Sequence, residues 1–286
     1  MVPRRSWNLC LGLSLALSGL AACEASKSAT TPTPTPTAVR YTALGASDAV
    51  GYGASQPCLP WAACPTGTGY VPTVTRRLDA QHADFDATNL GVPGAVLSRR
   101  LMDLGNSLGR GIVSNFVEGQ LPFVPRNTTV LTLFTGGNDV NTLGAAIRAG
   151  RAGANPATFI EAEVAAFGQE FRALVDGTIA RSTSPLLVVL NLPNLARLPY
   201  TAGLSSADRE WLRRLSVGIS ATMNAVAGPR VLVVDLMCQP AVYQASHYSS
   251  DGFHPNDAGY AMLADLVTAA LATPPGPPAA SCTFMQ

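Results

Sequence analysis

Between residues 39 and 272 the chain alternates short apolar, β-branched runs with longer stretches whose apolar residues recur at helical spacing. The runs are VRYTALG (39–45), FDATNL (85–90), TTVLTLF (128–134), PLLVVLN (185–191) and RVLVVDL (230–236). Helices are predicted near 70–82, 95–108, 157–181 and 205–226, with a last one after Pro255. Strands that alternate with helices build β-α-β units, so the expected fold class is α/β, three-layer α/β/α, with a five-stranded parallel sheet covered on both faces. About 250 residues suit one such domain and are short for two. In open parallel sheets, ligands bind beyond the carboxyl ends of the strands. The residues that directly follow each apolar run therefore matter most.

The first 38 residues follow other rules. Arg4 and Arg5 precede the apolar stretch LCLGLSLALSGLAAC, which has the length of a signal-peptide core and is short for a membrane span. It ends in Leu20-Ala21-Ala22-Cys23, which resembles the bacterial lipobox and implies cleavage before Cys23 and lipidation of that cysteine. The alternative is an ordinary signal peptide that leaves Cys23 as a spare thiol. Alternating Thr and Pro up to residue 37 form neither helix nor central strand and read as an extended spacer. The expected organisation is a lipoprotein signal peptide (1–22), a lipidated cysteine with a linker (23–38) and a single domain (39–286). The expected location is the bacterial cell envelope, with the domain exported and held at a membrane by its lipid anchor.

Charge excludes one class of partner. Removing Arg4 and Arg5 from 19 basic residues leaves 17 against 18 acidic ones, about −1 in all, with no block of like charge. Nucleic acid is not an expected partner. Cys10 leaves with the leader and Cys23 is taken by lipid, so Cys58, Cys64, Cys238 and Cys282 remain as an even set for an oxidising compartment. Of three possible pairings, Cys58–Cys64 closes a short loop and Cys238–Cys282 secures the tail, and this is the pairing expected. The spacings of these cysteines do not suit a metal site, and none is expected.

Four segments carry candidate chemistry. After the first run, GASDAVGYG places Ser47 in a glycine-flanked turn, where a serine is either a nucleophile or a turn and cap residue. After the second, NLGVPG offers Gly94, a position where a backbone N–H can approach a ligand closely. After the third, TGGNDV holds Asn138, read either as an amide donor or as part of an Asn-Asp turn. Near the end, DGFHPN sets Asp251 three residues before His254. An acid so placed orients an imidazole, while the competing reading makes this a helix start with Asn256 as cap.

Taken together, these segments resemble the SGNH hydrolase superfamily, the GDSL esterases and lipases, over residues 39 to 272. The resemblance implies a flavodoxin-like order of strands, Ser47 as nucleophile, and Asp251 and His254 as its D-x-x-H partners. Ser47, Gly94 and Asn138 would be the oxyanion donors, with Asn138 in the block Gly136-Gly137-Asn138-Asp139. One position departs from the pattern. The aspartate before the serine is Ala46 here, and an aspartate follows instead at Asp48. The implied reaction is hydrolysis of an acyl or lipid ester by a monomer, with no metal or organic cofactor. NLPNLARLPYTAGLS (191–205) resembles the acyl-pocket loop of lipolytic members or is an exposed connection with a few buried leucines. Other readings are a carbohydrate O-acetyl esterase, with Trp61, Tyr70 or Trp211 as a stacking face, and a non-catalytic, surface-tethered binding protein.

Overall fold

The computed structural model describes residues 38–183 and 185–286, so the signal peptide, Cys23 and the Thr/Pro-rich spacer lie outside the described residues. Five strands, β1 (Val39–Gly45), β2 (Phe85–Asn89), β3 (Val130–Phe134), β4 (Leu186–Leu190) and β5 (Val231–Val234), form one sheet in the order β2-β1-β3-β4-β5. All neighbouring pairs are parallel. The sequences of the strands follow their places. β4 and β5, LLVVL and VLVV, are apolar throughout because both faces are covered, whereas the edge strand β2, FDATN, is half exposed and carries polar residues.

Helices α1 (Tyr70–Asp79) and α7 (Asp257–Ala272) pack together on one face, and α2 (Arg99–Ser107), α4 (Gly137–Arg148), α5 (Pro156–Arg181) and α6 (Ser206–Asn224) form the other layer, with α3 (Phe116–Gly119) a single short turn. The long α5 starts with Asn155, whose side chain accepts the N–H groups of Ala157 and Thr158, followed by Pro156 at the first helical position. Its buried stripe runs through Ile160, Phe167, Phe171, Leu174 and Thr178, at helical spacing. Leu215, Ile219 and Met223 of α6 are fully buried in the same core, each contributing about 1.5–3 kcal/mol of apolar burial.

Two helix expectations are corrected. The helix near 95–108 begins only at Arg99, because Val96 is extended and bridges to Asn115. Helix α4 is not among the expected helices. Its apolar positions Val140, Leu143 and Ile147 do have helical spacing, but Gly136-Gly137 reads as a loop. Gly136 is instead the residue that turns the chain from β3 into α4. It adopts φ 98°, and a Cβ there would meet Leu192 at 2.9 Å.

The four cysteines pair as Cys58–Cys64 and Cys238–Cys282. Near the second bond, Phe284 stacks on Tyr243 with ring centres 4.3 Å apart, and its carbonyl accepts the Asn194 amide.

What the fold does for the site follows from the register. Gly45 pairs with Phe134 and Phe134 with Leu190, so β1, β3 and β4 end side by side. From β1 the chain goes first to β2 on one side, then back across to β3 on the other. The crevice between the ends of β1 and β3 is the switch point at which such sheets bind ligands.

Candidate active site

Ser47 follows β1 by two residues and is 5% exposed. The turn that holds it is clamped from a distance: the Gln120 side chain accepts from the Gly45 N–H (3.1 Å) and donates to the Gly45 carbonyl (2.8 Å). His254 reaches Ser47 from the loop before α7, with Nε2 2.9 Å from Oγ. On the other side of the ring, Nδ1 lies 2.6 Å from Asp251 Oδ2.

Asp251 is held ionised. Partial burial pushes its pKa up, but hydrogen bonds from the His254 ring, the His254 and Phe253 N–H groups and the Ser249 hydroxyl bring it down to about 2. A carboxylate only accepts, so Nδ1 carries the proton and Nε2 presents a lone pair to the Ser47 hydroxyl. Tyr52 lies over the imidazole at 4.6 Å between ring centres, and Phe253 meets it edge-on at 4.9 Å.

Asn256 takes the capping role that the sequence set against the Asp251–His254 pair. Its Oδ1 accepts the Ala258 and Gly259 N–H groups and so caps α7, while its Nδ2 donates to the carbonyls of Ser246 and Tyr248. The cap and the Asp251–His254 pair belong to one structure.

The other two candidates come to the same crevice. Gly94 has φ 77° yet a Cβ there would meet nothing within 4 Å, so conformation rather than space requires glycine. Asn138 is the second residue of α4 and not a turn residue. Its Nδ2 donates to the Ala95 carbonyl at 3.0 Å, which fixes the amide with one hydrogen used and the second available. Among the described residues, the N–H groups of Ser47 and Gly94 have no hydrogen-bond partner.

Asp139, next along α4, was not singled out from the sequence. It is fully buried, its Oδ1 accepts the Leu97 N–H at 2.7 Å, and its Oδ2 has no partner. Burial pushes its pKa up to about 7, against the pull of the Leu97 hydrogen bond. It holds the end of the Gly94–Leu97 segment just as Asn138 holds the middle.

Beside this constellation lies an apolar cavity bounded by Leu192, Leu195, Leu236, Val242, Met262 and Leu263, with Asn138 and Phe253 on its wall. Within the 191–205 stretch, Leu192, Leu195 and Leu198 are buried and face the cavity. Asp48 is also on the wall. Burial raises its pKa, and the nearby His254 partly offsets the rise. Of the three aromatic residues considered as a stacking face, Tyr70 is fully buried and Trp211 is partly covered on α6, beneath Arg214. Trp61 alone of these is exposed. His82 lies three residues past the end of α1, and the His247 ring is hydrogen-bonded to the Ala241 carbonyl.

Such an arrangement has the parts for acyl transfer: a hydroxyl bonded to a base, the base bonded to an acid, and unengaged N–H donors nearby. Comparison with known proteins gives a matching result. The family model described as GDSL-like Lipase/Acylhydrolase matches residues 43–262. No curated protein matches the chain in sequence. Solved structures that it resembles include a lipase from a goat rumen metagenome, 18% identical, covering 81% of this chain and 97% of that one with a TM-score of 0.55. An extracellular lipase from Streptomyces rimosus is 18% identical over 82% of this chain and 100% of its own, TM-score 0.52. Phospholipase A1 from Streptomyces albidoflavus NA297 is 19% identical over 82% and 99%, TM-score 0.52. At such identities the likeness is one of fold.

Proposed function

The chain belongs to the GDSL-like lipase/acylhydrolase family and is a carboxylic ester hydrolase; from that premise we propose that it cleaves acyl esters through Ser47, His254 and Asp251. The observation that carries this reading is the continuous path from Ser47 Oγ to His254 Nε2 and from Nδ1 to Asp251, beside an apolar cavity.

In the first half-reaction, Nε2 takes the Ser47 proton as Oγ bonds to the acyl carbon, and the carbonyl electron pair moves onto oxygen. The N–H groups of Ser47 and Gly94 and the free hydrogen of the Asn138 amide receive that charge. Asp251 stabilises the imidazolium. When the tetrahedral centre collapses, the alcohol leaves with the proton from Nε2 and the acyl group stays on Ser47. Water, deprotonated by Nε2, repeats the sequence and releases the acid.

The apolar wall of Leu192, Leu195, Leu236 and Val242 favours an alkyl chain on the acyl side, and so an acyl or lipid ester rather than an acetylated glycan. A carboxylate ligand is not required for such a substrate, so Asp48 enters no step. The lipobox-like Leu20-Ala21-Ala22-Cys23 supports placement of this monomer in the cell envelope, anchored by lipid on Cys23.

The test is a chromogenic ester series from acetyl to long acyl chains, together with acetylated sugars, on the purified protein and its Ser47→Ala variant. Turnover should rise from acetyl to medium chains and vanish in the variant. Preference for acetylated sugars, or undiminished turnover by Ser47→Ala, defeats the proposal. Intact-mass analysis of the N-terminus tests the anchor.

A further inference from the structure

Between Asp48 and Arg76 no residue is charged. Much of this stretch is nevertheless at the surface. Leu59, Pro60, Trp61, Ala62 and Ala63 are all exposed, five consecutive apolar residues inside the ring closed by Cys58–Cys64. Leu59 is 76% exposed and Trp61 50%. Exposed apolar runs of this length are avoided on ordinary surfaces, because they promote association, and a functional reason is expected where they occur.

The ring is built to keep these side chains outward. Trp61 has φ 61°, the left-handed conformation, and it is the only residue other than glycine to do so among the described residues. The disulfide closes the ring around these residues. Phe123, itself 53% exposed, meets Trp61 edge-on at 4.9 Å and widens the apolar surface. The ring is also tied to the reaction centre: the Cys58 N–H donates to the Val50 carbonyl at 2.7 Å, three residues after Ser47, and the exposed Tyr52 of the same segment lies over His254.

We propose that the Leu59–Ala63 ring, with Phe123, is the surface by which this hydrolase inserts into a neutral lipid–water interface. This inference rests on the acyl-ester reading above and deepens it, since it names a substrate presented in a lipid phase. The chemistry of the surface selects the occupant. Folded protein partners are met by interfaces enriched in arginine; the Leu59–Ala63 ring itself holds none, and the neighbouring Arg76 is engaged by the Pro65 and Gly67 carbonyls. Anionic lipid is recognised by clustered Lys and Arg, and there are none from Ala49 to Thr75. Tryptophan with leucine on an uncharged ring suits the boundary between head groups and acyl chains, where the indole ring is buried and its N–H stays hydrated.

The experiment uses the mature chain from residue 23, with Cys23→Ser to remove the lipid anchor and Trp211→Phe, which leaves Trp61 as the sole tryptophan. On vesicles of phosphatidylcholine carrying brominated acyl chains, Trp61 emission should shift to the blue and be quenched, equally at low and high salt. A Leu59→Ser/Trp61→Ser chain should lose at least tenfold in turnover of a long-chain ester carried in those vesicles and keep its turnover of a soluble short-chain ester. Unchanged Trp61 emission on vesicles overturns the proposal, as does quenching that needs anionic lipid and disappears in salt. Equal loss on both substrates also overturns it, because the ring would then support the site rather than the interface. If the unmodified chain fails on the soluble ester while Trp61 is still quenched, the esterase reading fails and the surface stands.

Discussion

Replacing Asp139 with asparagine tests whether this carboxyl is neutral in the folded chain. Asparagine is nearly isosteric and keeps an oxygen for the Leu97 N–H, so the main change is that the residue no longer ionises. The folded pKa is about 7 and the ordinary value 3.8. Between these values the folded chain keeps a proton that the unfolded chain has released, so stability falls as pH rises through this window and levels off above it. At about 1.4 kcal/mol per unit, the full loss is about 4 kcal/mol above pH 7, and less than half of it is felt at pH 5. Asparagine does not suffer this loss. Denaturant unfolding of both proteins at pH 5 and pH 8, with the disulfides intact, should therefore give an advantage for Asp139→Asn that grows by about 2–3 kcal/mol between the two. Other titrating groups cancel in the difference. An advantage that does not change with pH refutes the raised pKa. An advantage that shrinks shows that the N-terminus of α4, which favours a negative charge at its third residue, outweighs burial.

Ser47→Ala and His254→Ala should each remove nearly all ester turnover and the double variant little more, as steady-state rates on a soluble ester will show; additive losses argue against a shared mechanism. Asn138→Ala should lower kcat by roughly 10²–10³ with KM little changed, and Asn138→Asp, which also sets a carboxylate against the Ala95 carbonyl, should do at least as much. Near-native kcat in a folded Asn138→Asp protein would remove the amide from the oxyanion site. Cys282→Ser should lower stability by about 3–4 kcal/mol, from the 44-residue separation that the Cys238–Cys282 bond spans, measured as a drop in the denaturant midpoint.

Much of the architecture is legible in local pattern. The five strands stand within a few residues of the predicted runs, most clearly β4 and β5, because a parallel strand covered on both faces has to be apolar along its length. Ser47 and Asn138 are visible because each lies within four residues after such a run, at the sheet edge where ligands bind. Helix α4 was written in the sequence too, but two glycines masked it: Gly136-Gly137 signals a loop, whereas Gly136 makes the left-handed step into a helix. What pattern does not carry is partnership at a distance. Nothing near Gln120 says that it clamps Gly45, 75 residues earlier, and nothing near Asp139 points to Leu97. The same limit made Asn256 a rival to the Asp251–His254 pair, since a single segment does not reveal that one amide serves two structures.

That double use of Asn256 ties the competence of the site to a small part of the molecule. The amide oxygen caps the start of α7 and the amide nitrogen holds the Ser246–Tyr248 turn, with His254 between them in the chain. If the first turn of α7 frays, the imidazole leaves Ser47 while the sheet remains intact. Local openings of this kind require much less free energy than global unfolding. The population of working molecules is then governed by a sub-global equilibrium, which amide exchange at Ala258 and Gly259 would report. In mild denaturant, turnover should decline before the far-ultraviolet signal of the sheet and helices begins to change.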